Sequence, residues 1–221
     1  MVAMRERPII FSSEMVRAII EGRKTQTRRI ATLTSSLGFP REANSQWGIY
    51  LDRPHAGPYL HLGPCPYGTP GDHLWVRENF FVSHDDFDKG GKLPSERPEW
   101  ADEMLHFCAD GTCCDQIPEC CCCEVGKPKN RPSIHMPRWA SRLTLEVTHI
   151  KIERLNQISS NDARAEGIDT EDGLDPARTA HRDKWITRYH VLWDKLNGPG
   201  AWDKNPWVWV VSFRKLAVAH A

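Results

Sequence analysis

The chain has 221 residues, 40% hydrophobic and 26% charged, and its 29 basic and 29 acidic side chains cancel. That length holds one large domain or two small ones, and the cancelled charge argues against a protein that coats long nucleic acid, where affinity comes largely from phosphate neutralisation. The apolar runs are too short to span a membrane, and the opening MVAMRERPIIFSSE lacks the apolar core and small-residue cleavage site of a signal peptide, so a cytoplasmic protein with no membrane partner is expected.

In chain order, RPIIF (Arg7 to Phe11) reads as a short buried strand. Ser12 or Ser13 can cap a helix through EMVRAIIEG, with Met15, Ala18 and Ile19 on one face and Gly22 as its stop. There follows EGRKTQTRR, Glu21 to Arg29, with four cations and two threonines in nine residues. Thr25 to Ile30 reads as extended chain, and Leu33 to Pro70 as loops with a hairpin at WGIYLDRP. The turn YGTPGD (Tyr67 to Asp72) leads into the strand HLWVRENFF (His73 to Phe81).

Residues 82–130 have weak periodicity, many acids and seven of the eight cysteines, and are taken as an insertion. Charge is locally lopsided here: Ser95 to Glu124 carries eight acids against Arg97 alone, whereas Lys127 to Arg142 carries five cations and no acid. A small anionic or neutral ligand, or a short nucleic-acid segment, suits this better than a long duplex.

Ser141 to Ile152 alternates cleanly at Leu143, Leu145 and Val147, then slips phase to Ile150 and Ile152, as at a bulge or bend. Ile158 to Ile168 is a capped short helix ending at Gly167. Arg182 to Leu196 is a second helix with an apolar stripe through Trp185, Tyr189, Leu192, Trp193 and Leu196. The closing PWVWVVSF, apolar on both faces, is a central strand. The expected fold is α+β: a single domain over 1–221, built as a small β-barrel with flanking helices and a Cys-rich insertion at about 82–130.

Five words in this order, PIIFSSEMVRAIIEGRKTQTRR, CPYGTPGDHLWVRENF, PSIHMPRWASRLTLEVTHIKIERL, ISSNDARAEGI and NPWVWVVSFRK, resemble the ASCH domain family, a PUA-like β-barrel group, and in particular its larger, phage-associated branch. That family contains nucleic-acid binders and a small group of amidohydrolases that remove an acyl group from the exocyclic amine of N4-acetylcytidine. The resemblance implies a catalytic Lys and Thr in the GRKTxT motif and a Glu on the later helix. Here these fall on Lys24, Thr27 and Glu166. This chain is roughly twice as long as the compact amidohydrolases, and the insertion bears on access to the pocket and so on substrate size.

The residue chemistry is consistent with that implication. Amide hydrolysis needs a nucleophile, a base and charge stabilisation. Thr27 supplies a hydroxyl. Lys24 can take its proton only when neutral, which burial or the adjacent Arg23, Arg28 and Arg29 would favour. Glu166 can pass the proton to the leaving amine or hold the lysine in place. Residues 24 and 27 do not share a face of a regular strand, so the chain must turn after Gly22; Thr25 shares a face with Thr27 and is the rival hydroxyl. The plainer reading is that the cations complement a helix end, the threonines are ordinary strand residues, and Glu166 is solvated.

Base recognition calls for a stacking ring and polar partners. Arg23, Thr25, Trp75, Arg77, Glu78 and Arg138 are the substrate-binding candidates, with His135 and Trp139 nearby in sequence; core packing is the competing role for Trp75, and solvation or phosphate binding for Arg138 and Arg142. Cys108, Cys113, Cys114, Cys120, Cys121, Cys122 and Cys123 place seven thiols within sixteen residues, which in the cytosol suggests structural zinc more than disulfides; the alternative is an oxidation-prone loop. The proposed Lys–Thr–Glu chemistry requires no cofactor. The leading expectation is an amidohydrolase acting on N4-acylated cytosine nucleosides. The rivals are a non-catalytic RNA or modified-base binding module and a ribonuclease.

Overall fold

A computed structural model describes residues 4–31, 34–35, 60–61, 65–82, 92–110, 131–168 and 184–216. Strand β1 (Glu6–Ile10) leads into helix α1 (Ser13–Ile20), β2 (Gln26–Ile30), the short β3 (Thr34–Ser35) and β4 (Leu60–His61), then β5 (His73–Arg77) and β6 (Phe80–Val82). Next come α2 (Ala101–Met104), β7 (Leu105–Phe107), β8 (Thr144–Arg154), α3 (Ser160–Ala165), α4 (Lys184–Asn197) and β9 (Trp207–Lys215). Five strands are hydrogen-bonded in the order β1-β5-β8-β9-β2, while β3 pairs with β4 and β6 with β7. The expected α+β class holds. Among the described residues the five-stranded sheet does not close into a barrel; β1 and β2 are its two ends. None of the described helices is long and apolar enough to cross a membrane.

The chain forms two compact units, neither of them contiguous in sequence. The first comprises Met1–Lys24, His73–Glu146 and Arg214–Ala221; the second comprises Thr25–Asp72 and Val147–Phe213. In the first, β1 runs parallel to β5, and β5 pairs antiparallel with the start of β8 through His73 with Glu146 and Trp75 with Thr144. Ser12 caps α1, its side chain accepting from Met15 N–H, and Val16, Ala18 and Ile19 are buried. Met15, expected in that stripe, is only half-buried because Val16 takes the inner position.

The expected strand over His73 to Phe81 is two strands. Asn79 separates them: its side-chain oxygen accepts from Ser133 N–H, and β6 leaves to pair with β7. Part of the expected insertion therefore belongs to this unit's core, where Phe80, Val82, Met136 and Ala140 pack with Leu93, Trp100, Met104 and Phe107.

In the second unit β2 runs antiparallel to β9, with Gln26 opposite Ser212 and Thr27 opposite Val211. Leu155, Tyr189, Trp193, Trp202, Val208 and Val210 anchor its core. The phase slip read in Ser141 to Ile152 is real: Leu145 and Val147 are buried, Thr148 and His149 are both exposed, and Ile150 returns inward. The chain passes from the first unit to the second between Glu146 and Val147, at that slip. Along β9, Val208 through Val211 are all buried, as the doubly apolar pattern requires. The WGIYLDRP hairpin lies outside the described residues.

Candidate functional site

The end of α1 sets the direction of the GRKTQT segment. Gly22 takes a left-handed φ of +78° just past the C-cap Glu21, a conformation that costs glycine little, and so turns the chain. Lys24 N–H then donates back to the Ala18 carbonyl at 2.9 Å. Lys24 closes the first unit, 2% exposed and with its Nζ 5.6 Å from the centroid of the Phe11 ring.

Thr25 opens the second unit. Its N–H donates to the Ala165 carbonyl at 2.9 Å, and its own carbonyl accepts from Phe213 N–H at 2.9 Å. The strand bearing the threonines is thus stitched to the last turn of α3. Thr25 itself is exposed, whereas Thr27 is 3% exposed within β2.

Glu166 is the C-cap of α3, followed by Gly167 at φ +82°. It is 4% exposed and is no solvated helix residue. Its Oε1 accepts from Arg28 Nη1 at 3.1 Å. The side chain of Arg28 is wholly buried, and its Nη1 also donates to Gln26 Oε1 at 2.8 Å. Glu153 Oε1 accepts from Arg28 Nε at 3.2 Å and Nη2 at 2.7 Å. Asp162 Oδ2 lies 3.4 Å from Nη2. Strand alternation assigns Gln26 and Arg28 to one face of β2 and Thr27 and Arg29 to the other. The Arg28–Glu166 bond therefore belongs to the face opposite the Thr27 side chain.

Burial works against a charged Arg28, but the Glu166 carboxylate and the bond to Glu153 outweigh it and hold the guanidinium above its ordinary range. Burial opposes ionisation of Asp162 as well; the Ser159 hydroxyl and the charge of Arg28 win, and its carboxyl sits below the usual value. Tyr189, whose ring lies 5.9 Å from the Arg28 guanidinium carbon, is pushed well up by burial and then by Glu166, so it stays a neutral phenol. Sequence reasoning missed Arg28, Gln26, Glu153 and Asp162 as partners of Glu166. The local signals were the shared parity of 26 and 28 and the four-residue spacing of 162 and 166.

Two of the three arginines expected to crowd Lys24 have carboxylate partners. Arg23 is exposed and its Nε donates to Glu21 at 2.7 Å, while Arg28 is surrounded by carboxylates. Neither presents an uncompensated positive charge.

The remaining candidates lie in the first unit. Alternation along β5 buries Leu74 and Val76 and leaves Trp75 and Arg77 half-buried on the other face. The Arg77 and Arg138 guanidinium carbons lie 4.9 Å and 5.9 Å from the Trp75 ring centroid, so the chain's own cations engage that ring. Arg77 Nε donates to the Met136 carbonyl at 3.2 Å, and Arg138 donates to Glu6 at 2.9 Å and 3.2 Å. Glu78 is 1% exposed and accepts two bonds from Arg142, at 3.0 Å and 3.1 Å. Burial pushes its carboxyl up despite Arg142. Arg142 also donates to Asp110 at 2.7 Å and stacks its guanidinium 4.0 Å from the Phe107 centroid.

Of the cysteine cluster, Cys108 is half-buried, and Cys113, Cys114 and Cys120 through Cys123 lie outside the described residues. Cys65 is buried. No family model matches the chain, and no curated protein or solved structure is significantly similar to it.

Proposed function

We propose that this chain is an amidohydrolase that removes acyl groups from N4-acylated cytosine nucleosides, on a PUA-like scaffold. One observation carries the reading. The hydrogen bond from Thr25 N–H to the Ala165 carbonyl joins the threonine segment to the helix end bearing Glu166, and Lys24, Thr27 and Glu166 are each withdrawn from water. Buried polar side chains at a strand start and a helix end, from segments far apart in sequence, are unusual unless they serve chemistry or a satisfied polar network.

In the proposed reaction the Thr27 hydroxyl oxygen adds to the acyl carbonyl carbon while its proton passes to the Lys24 amine. That amine must be neutral, and burial is the condition that favours neutrality. Collapse of the tetrahedral adduct breaks the bond to the exocyclic nitrogen, which receives the proton taken up by Lys24, passed on through the Glu166 carboxylate, and leaves as the cytosine amine, so that Lys24 is neutral again. Water then hydrolyses the threonine ester, releasing a carboxylate and restoring the hydroxyl. Because β2 ends the strand order, a substrate at its margin can border side chains from both faces. That is how one small molecule would meet both Thr27 and Glu166. No metal or organic cofactor is required by these steps.

The ribonuclease alternative needs cations available to phosphate. Arg28, Arg138 and Arg142 are instead bound to carboxylates, which favours an uncharged substrate. The test is incubation with N4-acetylcytidine, following cytidine by chromatography. Cytidine should form in the presence of a chelator and vanish in Lys24→Ala and Thr27→Val. Turnover that survives both substitutions, or RNA binding with steep salt dependence and no turnover, would remove the hydrolase proposal.

A further inference from the structure

We propose that Glu153 and Arg28 form a positioning relay for Glu166, so that a half-exposed ion pair sets the geometry of the buried carboxylate. The catalytic consequence rests on the proton-transfer role proposed above for Glu166; the positioning claim itself does not.

The links are explicit. Lys151 Nζ lies 2.9 Å from Glu153 Oε2. The other oxygen of Glu153 accepts from both Nε and Nη2 of Arg28. The guanidinium is a rigid plane with donors at fixed angles, so holding its Nε edge determines where Nη1 points. The two N–H groups of Nη1 go to Gln26 Oε1 and Glu166 Oε1. With Arg28 wholly buried, water is not available to replace a lost partner.

A merely structural salt bridge would stabilise the unit without changing how Glu166 sits. The two roles separate in protein labelled with carbon-13 at glutamate carboxyls, with the Glu166 signal assigned by its loss in Glu166→Gln. In folded Glu153→Gln, and in folded Arg28→Lys, the Glu166 carboxyl signal should move. Lys151→Met, at the outer end, should move it less. Deacylation by Glu153→Gln should fall in kcat by about tenfold to a hundredfold, as for a sub-ångström to 1 Å displacement of a catalytic group. KM should stay within about twofold, because only transition-state contacts are weakened.

An unmoved Glu166 signal in both Glu153→Gln and Arg28→Lys overturns the relay. A moved signal in a protein with no deacylation upholds the relay and defeats the amidohydrolase reading instead. Should Arg28→Lys fail to fold, Glu153→Gln decides alone, since Glu153 is partly exposed and keeps its shape as Gln.

Discussion

Replacing Arg28 with Met should destabilise the second unit more than any other single polar change in it. The substitution removes the guanidinium shared by Glu153, Asp162 and Glu166 and leaves the nearly buried Glu166 carboxylate beside an apolar chain. Breaking one side of a buried ion pair typically costs about 3–5 kcal/mol. Glu153 and Asp162 are 12% and 23% exposed and can recover some hydration, which places the expected cost at the lower end, about 3 kcal/mol. For a chain of this size that corresponds to a fall in Tm of roughly 6–12 °C. The assay is urea unfolding followed by tryptophan fluorescence, which Trp193 and Trp202 of this unit's core should report, and by circular dichroism as a check on two-state behaviour. Combining Arg28→Met with Glu166→Gln removes the stranded charge and should recover about 1–2 kcal/mol, a coupling expected of direct partners. A cost under about 1 kcal/mol for Arg28→Met, typical of a surface site, would refute the account, as would strictly additive behaviour of the pair.

Gly22→Ala should cost about 1–2 kcal/mol, the left-handed penalty alone, because an added Cβ at φ +78° meets nothing within 4 Å. Gly68→Ala should cost more, about 2–4 kcal/mol, since its Cβ would come 2.5 Å from Asp72 Oδ2 and dislodge the bond that oxygen accepts from Thr69 N–H; comparing the two midpoints in urea checks the difference. Two carboxyls should leave opposite marks on stability against pH. The Glu78 value is raised in the folded state, so stability should fall as pH rises from the ordinary 4.5 through the folded value, and Glu78→Gln should abolish that fall. The Asp162 value is lowered, so its contribution is present above 3.8 and lost as pH falls through the folded value; Asp162→Asn should flatten that acid limb. Trp75→Phe should lose no more than about 1 kcal/mol of cation–π attraction and leave KM for the nucleoside unchanged; a tenfold rise in KM would return Trp75 to a base-stacking role.

What could be read from the sequence was local. The Ser12 cap, the Gly22 and Gly167 stops, the slip after Val147 and the doubly buried β9 all depend on residues within a few positions of one another. The division into two units depends on chain crossings that no linker composition marks, such as Lys24 to Thr25 in mid-motif. The core part of residues 92–110 escaped because its elements are only three or four residues long, too short for a helix or strand period to show. The carboxylates around Arg28 escaped because they lie 125 and 138 residues away, so the cations of EGRKTQTRR looked unopposed.

That last point decides how the segment works. Three of its four cations have distinct surroundings: Arg23 turns outward to Glu21, Lys24 is buried at the end of the first unit, and Arg28 enters a buried cluster. In that cluster Arg28 and Lys151 meet the carboxylates of Glu153, Asp162 and Glu166. A positive stretch of sequence thus supplies the buried guanidinium around which carboxylates from distant segments gather, and that guanidinium does not lose its proton. What the cluster does is fix the Glu166 carboxylate through Arg28, which is the geometry the relay proposal tests.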